Sequence, residues 1–355
     1  MKNKNWIIVF TLCSSLLFFG IALINIVIDP FNIYSNDGMY VNNQRFANAG
    51  AVRTADYNSV ILGGSLTENL PITQLNKMFD ANFIKLAVSG STAYESRLFA
   101  QKAFKTHEVQ TVVSPIDFFA FRGSTTRLHK TYEFPEYLLD NNPFNDLSLY
   151  VNFDTFKYSL KLIINAVLNK SIGKFTTDHE DLFNWYRTDK DKFSYDHFSK
   201  AWENRGELSE EDGRSYNVNL LETSFRANFL VLIKNNPNTQ FHIYFPPYSS
   251  LMYCLFIDDK PHFIKEIVAF KKMVMESTLP YKNVHLYDFQ TATHITTKSE
   301  NYKDLSHYSP AIDQVILKEI ARPEHYKVTK KNTLKKLATF EAHLNRFNRS
   351  QMISK

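Results

Sequence analysis

The sequence predicts an α/β protein: a three-layer α/β/α sandwich on a five-stranded parallel sheet, with one N-terminal transmembrane helix and a helical insertion. Three observations carry this. Trp6 to Ile28 is an uncharged apolar run, long enough to cross a bilayer with some tilt. Beyond it, short runs rich in Val, Ile, Leu and Phe alternate with helical stretches, as in strand–helix–strand units. Between residues 123 and 217 this alternation stops, and about a hundred residues is too long for a loop.

The apolar run ends in Asn25-Ile26-Val27-Ile28-Asp29-Pro30, with no small-x-small cleavage site, so it reads as an uncleaved anchor spanning 6–28 behind a cytoplasmic tip, 1–5. Lys2 and Lys4 precede it, while the far flank carries Asp29 and Asp37 and no basic residue before Arg45. The positive-inside rule then puts the amino terminus in the cytoplasm and the body in the periplasm or outside the cell. Cys13 falls inside the span and Cys254 far from it, so no internal disulfide is expected. Residues 29–55 read as a linker and 56–326 as the soluble domain.

The first strand is Val60-Ile61-Leu62, a continuous apolar run suited to a sheet covered on both faces. It runs into Gly63-Gly64-Ser65, where the glycines allow a sharp turn. Ser65 then stands at the carboxyl end of a strand and the amino end of a helix, where free N–H groups can hold negative charge. Ser65 or Thr67 equally suits a plain N-cap, with Glu68 completing a capping box. "PITQLNKMF" reads as a helix, "NFIKLAVSG" as a second strand ending at Ser89-Gly90, and "STAYESRLFAQKAF" as a helix capped by Ser91 or Thr92. "VQTVVSPIDFFAF" is a third strand, running out at Asp117.

The insertion, 123–217, is dense in rings, including Tyr132, Phe134, Tyr137, Phe144, Tyr150, Phe153, Phe156, Tyr158, Phe183, Trp185 and Tyr186. In a chain of 15 % aromatic residues this suits either a lid over the carboxyl edge of the sheet or an extension of the core. The helix "NLLETSFRANFLVLIKNN", the strand "QFHIYF" leading to Pro246-Pro247-Tyr248, the helix "FIKEIVAFKKMVMES" and the strand "NVHLYDF" complete the sheet.

The net charge of +5 is unevenly spread. Residues 327–355 hold six Lys and two Arg against one Glu, a net +7, which leaves the remainder at −2. Leu334, Leu337, Phe340, Leu344 and Phe347 recur at helical steps, so this tail reads as a basic amphipathic helix. It suits packing on the domain with a solvated face, or attachment to anionic lipid or an acidic polymer. Nucleic acid is excluded for a body held outside the cytoplasm.

After the last strand, "SENYKDLSHYSPAI" sets Asp304 and His307 three apart before a helix started by Pro310. The carboxylate can orient the imidazole while its other nitrogen serves as base, and Ser65 lies at the same sheet edge. These three are the candidate catalytic residues. The pairs His107-Glu108 and Asp178-His179-Glu180 have no metal-ligand pattern and read as surface, so no metal or cofactor is expected.

On these residues the chain resembles the SGNH (GDSL-like) hydrolase superfamily over roughly 56–322. Gly64-Ser65 matches its first block, Ser89-Gly90 its second and Asp304-Leu305-Ser306-His307 its last. "GGSLTEN", "DFFAF" and "FPPYS" are similar to stretches of membrane-anchored SGNH-like proteins that acylate envelope polymers, such as the D-alanine transfer protein of lipoteichoic acid and the alginate acetylation proteins. The resemblance implies a flavodoxin-like sheet and a serine esterase or O-acyltransferase. It also implies an acyl donor, an envelope polysaccharide or polymer acceptor, and a membrane-bound O-acyltransferase as partner. A non-catalytic accessory protein with a vestigial site is the alternative. The third family block supplies an oxyanion-hole asparagine; here that strand ends in Asp117, and an ionised carboxylate cannot donate. The oxyanion hole is then expected from the N–H groups of Ser65 and Gly90, with Asn69. Asp117 is expected in a substrate groove with Arg122 and Tyr248, or else as a turn cap.

Overall fold

The computed structural model describes residues 2–36, 39–168, 175–176, 179–206, 214–259 and 262–353. Parts of the expected insertion, residues 169–174, 177–178 and 207–213, lie outside the described residues, as does Asp178. The chain forms two compact units, one of 1–56 with 133–182 and the other of 57–132 with 183–355. The segment expected as one insertion is therefore shared between them.

In the first unit the N-terminal helix runs Lys2–Ile28, and its Asn5–Ile28 stretch is long and apolar enough to cross a membrane. It stops at Asp29, whose carboxylate accepts the backbone N–H groups of Ile33, Tyr34 and Ser35 at 2.8, 2.8 and 3.2 Å. Gln44–Thr54 is a buried helix capped by Asn43, and Phe153–Leu168 is a longer one. Tyr40–Val41 pairs antiparallel with Phe175–Thr176. His179 is half-buried against Asn48, 3.1 Å away, rather than on an open surface.

The second unit carries the sheet. Its strands are β1 (Ser59–Gly63), β2 (Phe83–Ala87), β3 (Thr111–Pro115), β4 (Gln240–Phe245) and β5 (Val284–Asp288). They lie in the order β2-β1-β3-β4-β5, every pair parallel. Val60, Ile61, Val112, Val113 and Ile243 are completely buried, as the unbroken apolar runs require. Each such side chain contributes roughly 1.5–3 kcal/mol.

Side chains alternate along β4, which sorts the helices into two layers. Phe79, ending the helix Ile72–Phe79, meets His242 edge-on at 4.9 Å. On the opposite face Phe104, from Ala93–Thr106, meets Phe241 at 6.4 Å, and Lys271, from Phe263–Thr278, lies over the Phe245 ring. The layering is compatible with a three-layer sandwich. Because β2 and β3 flank β1, the connections leaving β1 and β2 depart in opposite directions. That reversal opens a crevice at the carboxyl ends of β1 and β3, where ligands collect in open α/β sheets.

The third strand differs from expectation, and the basic tail takes the packed one of its two expected forms. The third strand stops at Pro115, and Phe118–Phe121 is a short helical turn instead of strand. The basic tail packs on the sheet unit: Lys327 bridges Tyr287 antiparallel beside β5, covering that edge. The helix Thr333–Arg346 then buries Leu337, Phe340 and Leu344, while Leu334 stays exposed.

Candidate active site

Gly63 has φ +148°, a conformation that side-chain-bearing residues rarely adopt. A Cβ there would also sit 3.0 Å from Thr67 Oγ1 and 3.1 Å from Pro115 Cδ. This lets β1 turn beside β3 and present Ser65 at the crevice. Ser65–Thr67 is a single 3-10 turn without a side-chain cap, and the next α-helix waits until Ile72. The capping-box alternative is thereby corrected. Glu68 Oε1 accepts the Ser89 hydroxyl at 2.7 Å, and the Ser65 hydroxyl is used elsewhere.

Ser65 Oγ lies 2.6 Å from His307 Nε2, and His307 Nδ1 lies 2.9 and 2.8 Å from the two oxygens of Asp304. The loop that carries them closes on itself through an antiparallel bridge between Tyr302 and Tyr308. Both rings are buried: Tyr302 donates to Pro247 O at 2.7 Å and Tyr308 to Leu66 O at 3.3 Å. Two tyrosines thus anchor the loop and fix the residues at its tip. Asp304 Oδ1 also accepts the backbone N–H groups of Ser306 and His307, each at 2.9 Å. Burial works to raise the Asp304 pKa, but the hydrogen bonds and charge of His307 outweigh it and hold the carboxyl well below its usual range. An ionised carboxylate only accepts, so Nδ1 carries the ring proton and Nε2 is left to take one from Ser65.

Of the expected oxyanion donors, the N–H groups of Ser65 and Gly90 have no acceptor among the described residues. Gly90 has φ +66°, and a Cβ there would lie 3.0 Å from the His129 ring, a neighbour that no spacing in the sequence announces. A Cβ on Gly64 would meet Val88 O at 3.6 Å and Ser91 N at 3.8 Å, so the two glycine turns pack side by side. Asn69 uses its side-chain oxygen on Tyr186 N–H at 3.3 Å, which ties the chain after residue 183 to the Ser65 turn.

Asp117 takes the turn-cap position foreseen for it. It caps the Phe118–Phe121 turn by accepting Phe119 N–H at 2.9 Å, and with Gly63, Gly64, Ser91 and Ser114 it lines a cavity of about 20 Å³, room for one water. Its Oδ1 also accepts the Tyr248 hydroxyl. Burial raises its pKa, opposed by those two hydrogen bonds and by the charges of His307 and Arg127. Tyr248 is 1 % exposed, so it is no open groove wall as expected; it acts through Asp117 from within the core. Arg122 bonds the Tyr216 hydroxyl at 2.8 Å and lies over that ring. The arginine whose field reaches Asp117 is Arg127, anchored on the carbonyls of Phe119, Ala120 and Arg122.

The lid expectation divides. Trp185 donates its indole N–H to Ser65 O at 3.0 Å and stands edge-on to His307, with centroids 5.5 Å apart. Lys303 lies 3.6 Å over the Trp185 ring and bonds Asp189 at 2.9 Å, which straps this segment to the His307 loop. Phe134, Tyr137, Phe144, Tyr150, Phe153, Phe156 and Tyr158 belong to the other unit. Sequence reasoning also missed a buried ion pair at the end of β5, Lys271 to Asp288 at 2.6 Å, with the ammonium flanked by the Phe245 and Phe340 rings. Burial brings Lys271 down to about 8, with Asp288 opposing. Among the described residues no group of three or more His, Cys, Asp or Glu is placed to hold a metal ion.

No protein-family model matches the chain, and no curated protein is significantly similar to it.

Proposed function

We propose that the chain is a membrane-anchored SGNH-type serine esterase or O-acyltransferase, its body outside the cytoplasm, acting on a cell-envelope glycan or related polymer. The observation that carries this reading is the hydrogen-bonded line from Ser65 Oγ through His307 to Asp304. As a donor ester arrives, His307 Nε2 takes the Ser65 proton while Oγ attacks the acyl carbonyl. The resulting oxyanion meets the N–H groups of Ser65 and Gly90. His307 then returns the proton to the leaving oxygen, and an acyl-serine remains. A second hydroxyl, from water or a sugar, deprotonated by the same nitrogen, takes the acyl group and restores Ser65. Asp304 stabilises the imidazolium at each proton transfer. A membrane-bound O-acyltransferase is a fitting source of the acyl group.

The test is labelling with a fluorophosphonate, which phosphonylates only an activated serine. The wild-type chain in detergent is expected to label, and Ser65→Ala is not. A wild-type chain that stays unlabelled, with fold intact by circular dichroism, would leave the non-catalytic accessory reading in its place.

A further inference from the structure

Asn25 sits three residues before the end of the N-terminal helix, near the end of its apolar Asn5–Ile28 stretch, yet it is completely buried. Its side-chain NH₂ donates to Tyr150 O at 2.7 Å and Asn152 O at 3.3 Å, and its oxygen accepts the buried Ser159 hydroxyl at 2.8 Å. A buried amide satisfied on both sides is a strong clasp. It fastens the Phe153–Leu168 helix to the N-terminal helix just where the apolar stretch runs out.

The fastened helix has another side. Phe153, Leu160 and Val167 are seven apart and so share one stripe, and they are 59, 37 and 74 % exposed. Leu168 is 54 % exposed, and Phe144 and Leu147, in the chain leading to the helix, are 78 and 58 % exposed. By contrast, the large apolar or aromatic side chains exposed in the sheet-bearing unit are, among the described residues, only Tyr132, Leu220 and Leu334. Contiguous apolar exposure of this kind marks an interaction surface. The helix's charged residues, Asp154, Lys157 and Lys161, all fall in its first part, and residues 162–168 carry no charge.

We propose that Phe153–Leu168 is an interfacial helix, with its Phe153–Leu160–Val167 stripe seated in the bilayer leaflet on the side of the protein's body. The inference rests on reading Asn5–Ile28 as a membrane span. Given that span, the Asn25 clasp leaves the stripe at headgroup depth, where apolar side chains enter the acyl boundary by roughly 5–10 Å. Lys157 and Lys161 have the reach to keep their ammonium groups among phosphates there. The anchor thus becomes a two-helix foot, which fixes the unit's orientation on the membrane in addition to tethering it.

The test uses the full-length chain with Cys13→Ala in phosphatidylcholine/phosphatidylglycerol nanodiscs; Cys254 is buried and left in place. Single cysteines at Leu160 or Val167, both exposed and so tolerant of a label, carry an environment-sensitive dye, with Phe10→Cys marking the span. Expected is strong quenching of all three by nitroxide-bearing lipid chains and several-fold weaker quenching by aqueous iodide. If the Phe10 dye is quenched by lipid while those at 160 and 167 respond to iodide, the helix placement is wrong and the span stands. If no dye responds to lipid, the span reading fails and the foot fails with it.

Discussion

Asp304 and Asp117 end up near the same histidine, yet their surroundings push them in opposite directions. Asp304 accepts from His307 Nδ1 and from two backbone N–H groups, and its pKa falls. Asp117 accepts from a backbone N–H and from Tyr248, a neutral hydroxyl, and its burial prevails. Two carboxyl groups at one edge are thereby set apart: Asp304 is held toward the ionised form and Asp117 is eased toward the neutral one. The difference lies in what donates to each. A histidine can bring a full charge, whereas a tyrosine brings only a dipole.

On the proposed acyl-transfer reading, the largest expected effect is at Ser65: Ser65→Ala should lower turnover of an activated ester by about 10⁶-fold. Asp304→Asn comes next, at about 10⁴-fold, because an amide in that place favours the wrong ring tautomer. Steady-state kinetics on a chromogenic acetate ester checks both. A loss below tenfold for Asp304→Asn would put Asp304 and Asp117 on an equal footing and end the contrast.

Asp288 is a third carboxyl at a strand end, and it sharpens the comparison because its role is structural. Asp288→Ala strands the buried Lys271 ammonium and should reduce stability by about 3–5 kcal/mol. Fluorophosphonate labelling of the fraction that remains folded should be unchanged. Loss of labelling in the folded fraction would tie Asp288 to the site.

Asp117→Ala should reduce stability by about 1–3 kcal/mol, since the buried Tyr248 hydroxyl loses its acceptor. On the reading that Asp117 meets the acceptor, this variant should also weaken transfer to a glycan more than attack on a small ester. Equal loss on both would remove Asp117 from the acceptor's path.

The smallest effect is in pH. The Asp117 pKa is raised on folding, so its contribution is fully present below its ordinary value of about 3.8 and is lost as pH rises through the folded value. The Asp304 pKa is lowered, so its contribution is present above that ordinary value and is lost as pH falls toward the folded one. Melting curves of wild type, Asp117→Asn and Asp304→Asn between about pH 2 and 7 should show each variant losing one of these opposed slopes, that of Asp304 below about pH 3.8 and that of Asp117 above it. The same slope in both variants would break the comparison.

Composition and order sufficed for much of the architecture. Five predominantly apolar runs, punctuated by Gly, Pro or Asp, match the five parallel strands, because a strand covered on both faces is mostly apolar. The uncharged Trp6–Ile28 run was legible in the same way, as was the placement of Ser65 at a strand end and of Asp304 and His307 in the loop before the helix started by Pro310. What the tertiary structure decided was the partnering. That Tyr248 reaches Asp117 from the core, that Trp185 covers Ser65, that His129 closes on Gly90 and that Lys271 pairs with Asp288 all depend on contacts between segments far apart in the chain. A sequence pattern reports the face on which a side chain lies, but not what a distant segment lays against it. The division of residues 123–217 between two units was hidden likewise. Its rings satisfied a lid and a core equally, and the buried amide of Asn25, over a hundred residues away, is what holds Phe153–Leu168 beside the N-terminal helix.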